Sequence, residues 1–240
     1  MENNENREQM TETRTLSSRL ENFWYHYKWH SIIAVFLVIA VLICTLQTCS
    51  RESFDGFVLY AGKKGISRTE GDGGVEYALF LSAFSDIMED RDENGEITPS
   101  FLDLYIPSAD DMKESGSDLY SLASENISRL EYELISGSDF FLCLLSEYNY
   151  EQYKTWDSLP VFTPISQYLP EGSTAVLYDE YAVKLITLSF FTLDGISDLP
   201  DDTVVCLRRL TSVNAAMNRE ARENYENAEK MLRELLSYSK

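Results

Sequence analysis

The sequence predicts an α/β protein in which one N-terminal transmembrane helix precedes a single three-layer-like α/β domain with a mostly parallel sheet and a C-terminal amphipathic helix. Three observations predict it. Residues 29–50 carry no charge and lie between Lys28 and Arg51. After residue 56, short apolar runs alternate with segments of helical periodicity in the order strand, helix, strand, helix, strand, the pattern of an α/β layer with crossover connections. Two of the runs, Phe140-Phe141-Leu142-Cys143-Leu144-Leu145 and Val204-Val205-Cys206-Leu207, are apolar throughout, as strands covered on both faces are.

Residues 1–22 are polar, rich in Glu, Asn, Thr and Arg, and read as a disordered tail that becomes helical as it nears the membrane. Residues 23–50 combine an aromatic belt with the span. Phe23, Trp24, Tyr25, Tyr27 and Trp29 alternate with His26, Lys28 and His30, and amphipathic rings beside a cation suit the membrane interface. The 22 uncharged residues of 29–50 make a helix of about 33 Å, close to the hydrocarbon thickness of roughly 30 Å. Eleven strong membrane formers among them favour insertion by roughly 3 to 6 kcal/mol. A cleaved signal peptide is the competing reading, set against the long mixed-charge leader. A lipoprotein cleavage site at Leu46-Gln47-Thr48-Cys49 is the other, set against Thr48 before the cysteine. Arg14, Arg19 and Lys28 before the span balance Arg51, Lys63 and Lys64 after it, so the flanking charges do not orient it.

Residues 51–56 read as a linker and 57–240 as the domain. Phe57-Val58-Leu59-Tyr60-Ala61, stopped by Gly62, is the first strand, and a glycine-rich loop follows. Apolar residues at helical spacing over 75–88 predict the first domain helix, and the alternation over 97–106, stopped by Pro107, predicts a second strand. Leu122, Ile127, Leu130 and Leu134, with Gly137 at the end, mark a helix over 119–135, and 139–145 is the next strand. Pro160, Pro164 and Pro170 break 155–172 into turns. A hairpin about Asp179-Glu180 and a strand over 203–210 follow. The helix over 218–238 carries Ala221, Tyr225, Ala228, Leu232 and Leu235 at spacings of four and three. That stripe packs on the domain's own sheet or forms a seam for a protein partner.

Of the 40 acidic and 20 basic residues, the first 51 hold five of each, so the domain carries the entire net charge of −20. Such a surface repels nucleic acid, which is excluded as a partner, while the high apolar content argues for a packed core. No histidine follows His30, which excludes Ser-His and Cys-His nucleophiles and His-ligated zinc in the domain. Gly71-Asp72-Gly73-Gly74 lacks the Lys and the spacing of a phosphate loop. The expectation is therefore no enzyme activity and no cofactor, calcium being the one exception to weigh. Cys143 and Cys206 read as free core thiols or as a disulfide between adjacent strands.

Two constellations carry candidate sites. Asp90, Asp92, Asn94 and Glu96 place oxygens at alternate positions with Gly95 among them, the first half of a calcium loop. The twelfth position is Phe101, and Asp103 is the nearest carboxylate able to close the set. The competing and favoured reading is an acidic turn that needs Asn94-Gly95 only for its backbone geometry. Tyr148, Tyr150 and Trp156 follow the third strand, on the side where α/β sheets bind ligands; they stack on a ligand or pack under a loop, packing being favoured.

The helix ending at Gly137-Ser138-Asp139-Phe140-Phe141-Leu142, with Tyr148 and the later Pro164-Ile165-Ser166-Gln167-Tyr168-Leu169-Pro170, resembles one lobe of type 2 extracellular solute-binding proteins. The segment Tyr25 to His30, the strand Val58 to Gly62 and Leu199-Pro200-Asp201-Asp202-Thr203 resemble those of single-span membrane proteins of clostridial-type bacteria. The resemblance implies a cytoplasmic N-terminus and an extracellular C-terminal domain. The functional expectation is a membrane-tethered, non-enzymatic domain that binds a small ligand or protein partner, with an accessory subunit of a membrane complex as the alternative.

Overall fold

Helix α1 spans Glu2–Cys49, and the chain from its start to Gly56 contains neither Gly nor Pro to interrupt it. This is a computed structural model, and it describes residues 2–49, 54–67, 75–108 and 117–239. The chain divides into two units, Met1–Glu52 and Ser53–Lys240. In the first, Phe23–Thr45 is long and apolar enough to cross a membrane, with a mean hydropathy of 2.1 and no part of it buried. Residues 2–22, expected to be disordered, continue the same helix. Glu, Gln, Arg and Met are good helix formers, and early glutamates suit the positive end of the helix dipole.

The second unit is a mixed α/β fold around a mostly parallel five-stranded sheet. Its strands are β1 (Gly56–Gly62), β4 (Pro99–Tyr105), β5 (Leu142–Ser146), β8 (Ala182–Lys184) and β9 (Thr203–Leu207), in the order β4-β1-β5-β9-β8. Strands β4, β1 and β5 are mutually parallel; β9 is antiparallel to both β5 and β8, so four of the five strands point one way. Two-residue ribbons β2 (Ile66–Ser67) with β3 (Val75–Glu76), and β6 (Thr155–Trp156) with β7 (Leu159–Pro160), lie outside it. The linker ends sooner than expected: Asp55 is buried and Gly56 already pairs in β1, while 51–53 and Gly71, Gly73 and Gly74 lie outside the described residues.

Alternation along β1 separates two cores. Val58 and Tyr60 enter one with Phe80, Ala83 and Phe84 of helix α2 (Tyr77–Ser85); Leu59 and Ala61 enter the other with Leu130 and Leu134 of helix α3 (Ser117–Ser136). The connection from β1 to β4 thus covers one face and that from β4 to β5 the other. Each Leu or Val buried this way contributes about 2 kcal/mol. Helix α4 (Glu147–Tyr153) follows β5 directly, with Ser146 accepting from the Asn149 N–H as its N-cap. Two helices close the chain, α5 (Ser212–Met217) and α6 (Arg219–Ser237). In α6, Asn218 caps the first turn, and Ala221, Ala228, Met231, Leu232 and Leu235 are buried in the same core as Val58 and Tyr60.

Arg208 anchors the junction of α3 with β5. It is fully buried, donates from Nε to the Phe140 carbonyl (3.0 Å) and from Nη2 to the Gly137 carbonyl (2.8 Å), and lies 4.1 Å from the centre of the Phe141 ring. Burial pulls its pKa below the ordinary arginine value, offset by Glu133 and Asp139 among its neighbours. Cys143 and Cys206 are register partners on β5 and β9, both free and both buried.

Candidate functional site

The acidic turn lies beyond the N-terminal ends of β1 and β4. Of its predicted ligand side chains, Asp90, Asp92 and Asn94 meet the turn's own donors. Asp90 accepts from the N–H of Asn94 (3.2 Å) and of Gly95 (2.7 Å), Asp92 accepts from the N–H and the side-chain amide of Asn94, and the Asn94 Oδ1 accepts from the Glu96 N–H at 2.7 Å. Glu93 and Gly95 adopt φ of 55° and 88°, and at Gly95 a side chain would be strained whatever the space around it. The third carboxylate of the cluster comes from elsewhere in the chain: one oxygen each of Asp55, Asp90 and Asp92 lie within 4.8 Å of one another. Asp55 is 1% exposed and accepts from the N–H of Arg91 and of Thr98, both at 2.7 Å, which ties the two ends of the turn to the start of β1. Asp103, expected to close a calcium set, instead accepts from the Ile66 N–H at 2.8 Å, and neither it nor Glu96 belongs to the cluster.

The three aromatic residues part company. Tyr150 is a core side chain. It is fully buried, its ring stacks on Phe162 at 5.3 Å and its hydroxyl donates to Asp179 at 2.7 Å. Burial, and then the hydrogen bond to Asp179, push its pKa far up. Tyr148 is 36% exposed on α4 and is not among the residues that line the groove at Trp156. Trp156, 44% exposed, stands on the β6–β7 hairpin, whose turn residues Asp157 and Ser158 both have positive φ.

Trp156 borders a groove of about 150 Å³ with Leu134 and Ile135 of α3, Leu159, Pro160 and Val161 of the hairpin, and Arg209 and Thr211 after β9. Hydrogen bonds from the Arg209 N–H to the Val161 carbonyl and from the Arg208 N–H to the Phe141 carbonyl set these segments side by side. The groove therefore sits at the N-terminal end of β5, opposite the edge expected for a parallel sheet. At that expected edge Lys63 pairs with Asp202 at 3.3 Å and Glu147 with Lys184 at 2.8 Å, and the Asn149 side-chain amide donates to the Ala61 carbonyl at 3.2 Å. The Tyr60 hydroxyl and Asp202 Oδ1 are buried there without a hydrogen-bond partner among the described residues, and a cavity of about 280 Å³ opens beside Ile66, Tyr77 and Asp103.

Sequence reasoning missed Asp55 and Arg209. One aspartate among many acids before a strand has no distinguishing pattern. Of the adjoining Arg208 and Arg209, strand alternation sends one inward and the other out, and that signal was present. Comparison with protein-family models finds no matching family, and comparisons with curated proteins and with solved structures find no match.

Proposed function

We propose that this chain is a membrane-tethered, non-enzymatic binding domain, anchored by α1, with its α/β unit on the outer face of the membrane. The observation that carries the reading is the pairing of an apolar helix with no buried residue and a separate domain that fills both faces of its own sheet. A helix of that length and hydropathy, without a core to enter, belongs in a bilayer. The external placement rests on the resemblance to a solute-binding lobe, and the domain is read as three-layer-like with an amphipathic terminal helix. The absence of histidine after residue 30 supports a binding role over catalysis. The groove at Trp156 is the binding place this reading favours, and the acidic turn is read as structural.

The alternative, an accessory subunit of a membrane complex, draws less support. The stripe on α6 that a partner would need is buried against the domain's own sheet. Protease added to intact cells tests the proposal. The expected result is degradation of residues 53–240 with protection of the N-terminal segment; full protection of the domain until the cells are permeabilised would overturn it.

A further inference from the structure

We infer that the groove beside Trp156 binds a small apolar carboxylate, a single ring or short branched chain bearing one acid group. The inference rests on the binding role proposed above and names the ligand class of that groove. Its walls are aliphatic and aromatic, and a cavity of about 150 Å³ lined by such side chains holds a ring the size of benzene. Trp156 and Leu159, partners across the hairpin, are 44% and 58% exposed, so the apolar wall faces open space.

The rim supplies the charge preference. Arg209 is exposed, its backbone N–H is held by the Val161 carbonyl, and its guanidinium has no partner among the described residues. That freedom is unusual in this domain. With 35 acids to 15 bases from residue 52 onward, the other described cations meet carboxylates, backbone carbonyls or a tyrosine ring, and only Arg222 shares the condition. An unpaired guanidinium beside an apolar wall matches a carboxylate attached to an apolar body, since its planar fork binds a carboxylate through two parallel hydrogen bonds. Thr211 adds a hydroxyl: its oxygen accepts from the Asn214 N–H at 3.3 Å, which leaves the O–H to donate at the rim. The domain's net negative charge opposes an anion only over short range, because salt screens exposed charges beyond about 8 Å.

The test uses the full chain in detergent micelles with its tryptophans replaced by 5-fluorotryptophan. Trp24, Trp29 and Trp156 give three fluorine resonances, and Trp156→Phe identifies the third. Phenylacetate at millimolar concentration is expected to shift the Trp156 resonance saturably and to leave the other two in place. Arg209→Gln, which removes no side-chain hydrogen bond or ion pair among the described residues, is expected to weaken phenylacetate by about tenfold or more while leaving the neutral phenylacetamide unaffected. Arg209→Lys is expected to recover part of the loss, keeping the charge without the fork. Equal binding of acid and amide, or no effect of Arg209→Gln, would overturn the carboxylate assignment while the binding role of the groove stands. No shift of Trp156 with either compound would overturn the groove itself, while the location of the domain is read separately by proteolysis.

Discussion

The acidic turn and the Trp156 groove both drew attention through residue types, yet they differ in what those residues have left to offer. In the turn, the carboxylates of Asp55, Asp90 and Asp92 all accept from main-chain N–H groups of residues 91–98. In the groove, the Arg209 guanidinium has no hydrogen-bond or ion-pair partner among the described residues, and Trp156 and Leu159 are 44% and 58% exposed. In the reading proposed above, the turn is a brace, and the groove, with uncommitted hydrogen-bonding capacity next to open apolar surface, is the binding place.

The largest effect that sharpens this contrast is at the buried neighbour of Arg209. Arg208→Ala leaves the Gly137 and Phe140 carbonyls without their donor and opens a cavity against Phe141, and is expected to destabilise the domain by about 3 to 5 kcal/mol in urea unfolding. Arg209→Ala, one residue on, is expected to stay within about 0.5 kcal/mol of the parent. Asp55→Ala comes next, at about 2 to 3 kcal/mol, because it strands two N–H groups at the ends of the turn. Asp92→Ala, on the exposed side of the same turn, is expected to cost about 1 kcal/mol or less. Equal losses for Asp55 and Asp92 would break the view of the turn as a brace held from its buried side.

A pH series separates a buried carboxylate from the exposed ones. Burial raises the Glu133 pKa, partly countered by Arg129 at 2.7 Å. A glutamate with a raised folded pKa holds its proton more tightly in the folded state. The stability it contributes is therefore present below the unfolded pKa and falls as pH rises through the folded one. Glu133→Gln is expected to flatten urea stability across the interval from the ordinary glutamate range upward; an unchanged slope would contradict the assignment. Thiol chemistry gives a smaller signal. Burial and the neighbouring Cys143 push the Cys206 thiol up, and both thiols are buried, so in the folded protein at pH 8 both should resist iodoacetamide and be alkylated only in denaturant, as read by peptide mass spectrometry. The smallest effect expected is that of calcium, which at millimolar concentration should leave the melting temperature unchanged; a rise abolished by Asp90→Ala would turn the brace into a metal site.

Much of the fold was legible because it depends on pattern. The uncharged run at 29–50, the apolar runs of β1, β5 and β9, and the stripe along α6 each follow from one periodicity and the need to bury it. What stayed hidden depends on direction and distance. An apolar run reads alike in parallel and antiparallel strands, so the reversal of β9 against β5 left no trace in Val204-Val205-Cys206-Leu207. Tyr148 and Tyr150 look alike in sequence, but α4 turns only Tyr150 onto Phe162. Of the candidate sites, the turn's backbone role could be read from Asn94-Gly95. Trp156 was flagged as well, whereas its groove is assembled from α3, the hairpin and the segment after β9, elements far apart in the chain.

Hydrogen–deuterium exchange of the full chain in micelles, with and without phenylacetate, tests the central contrast most directly. Slowed exchange is expected in 155–161 and 209–211, two of the segments that line the groove, with no change in 90–98. Slowing confined to 90–98, or none anywhere, would contradict it.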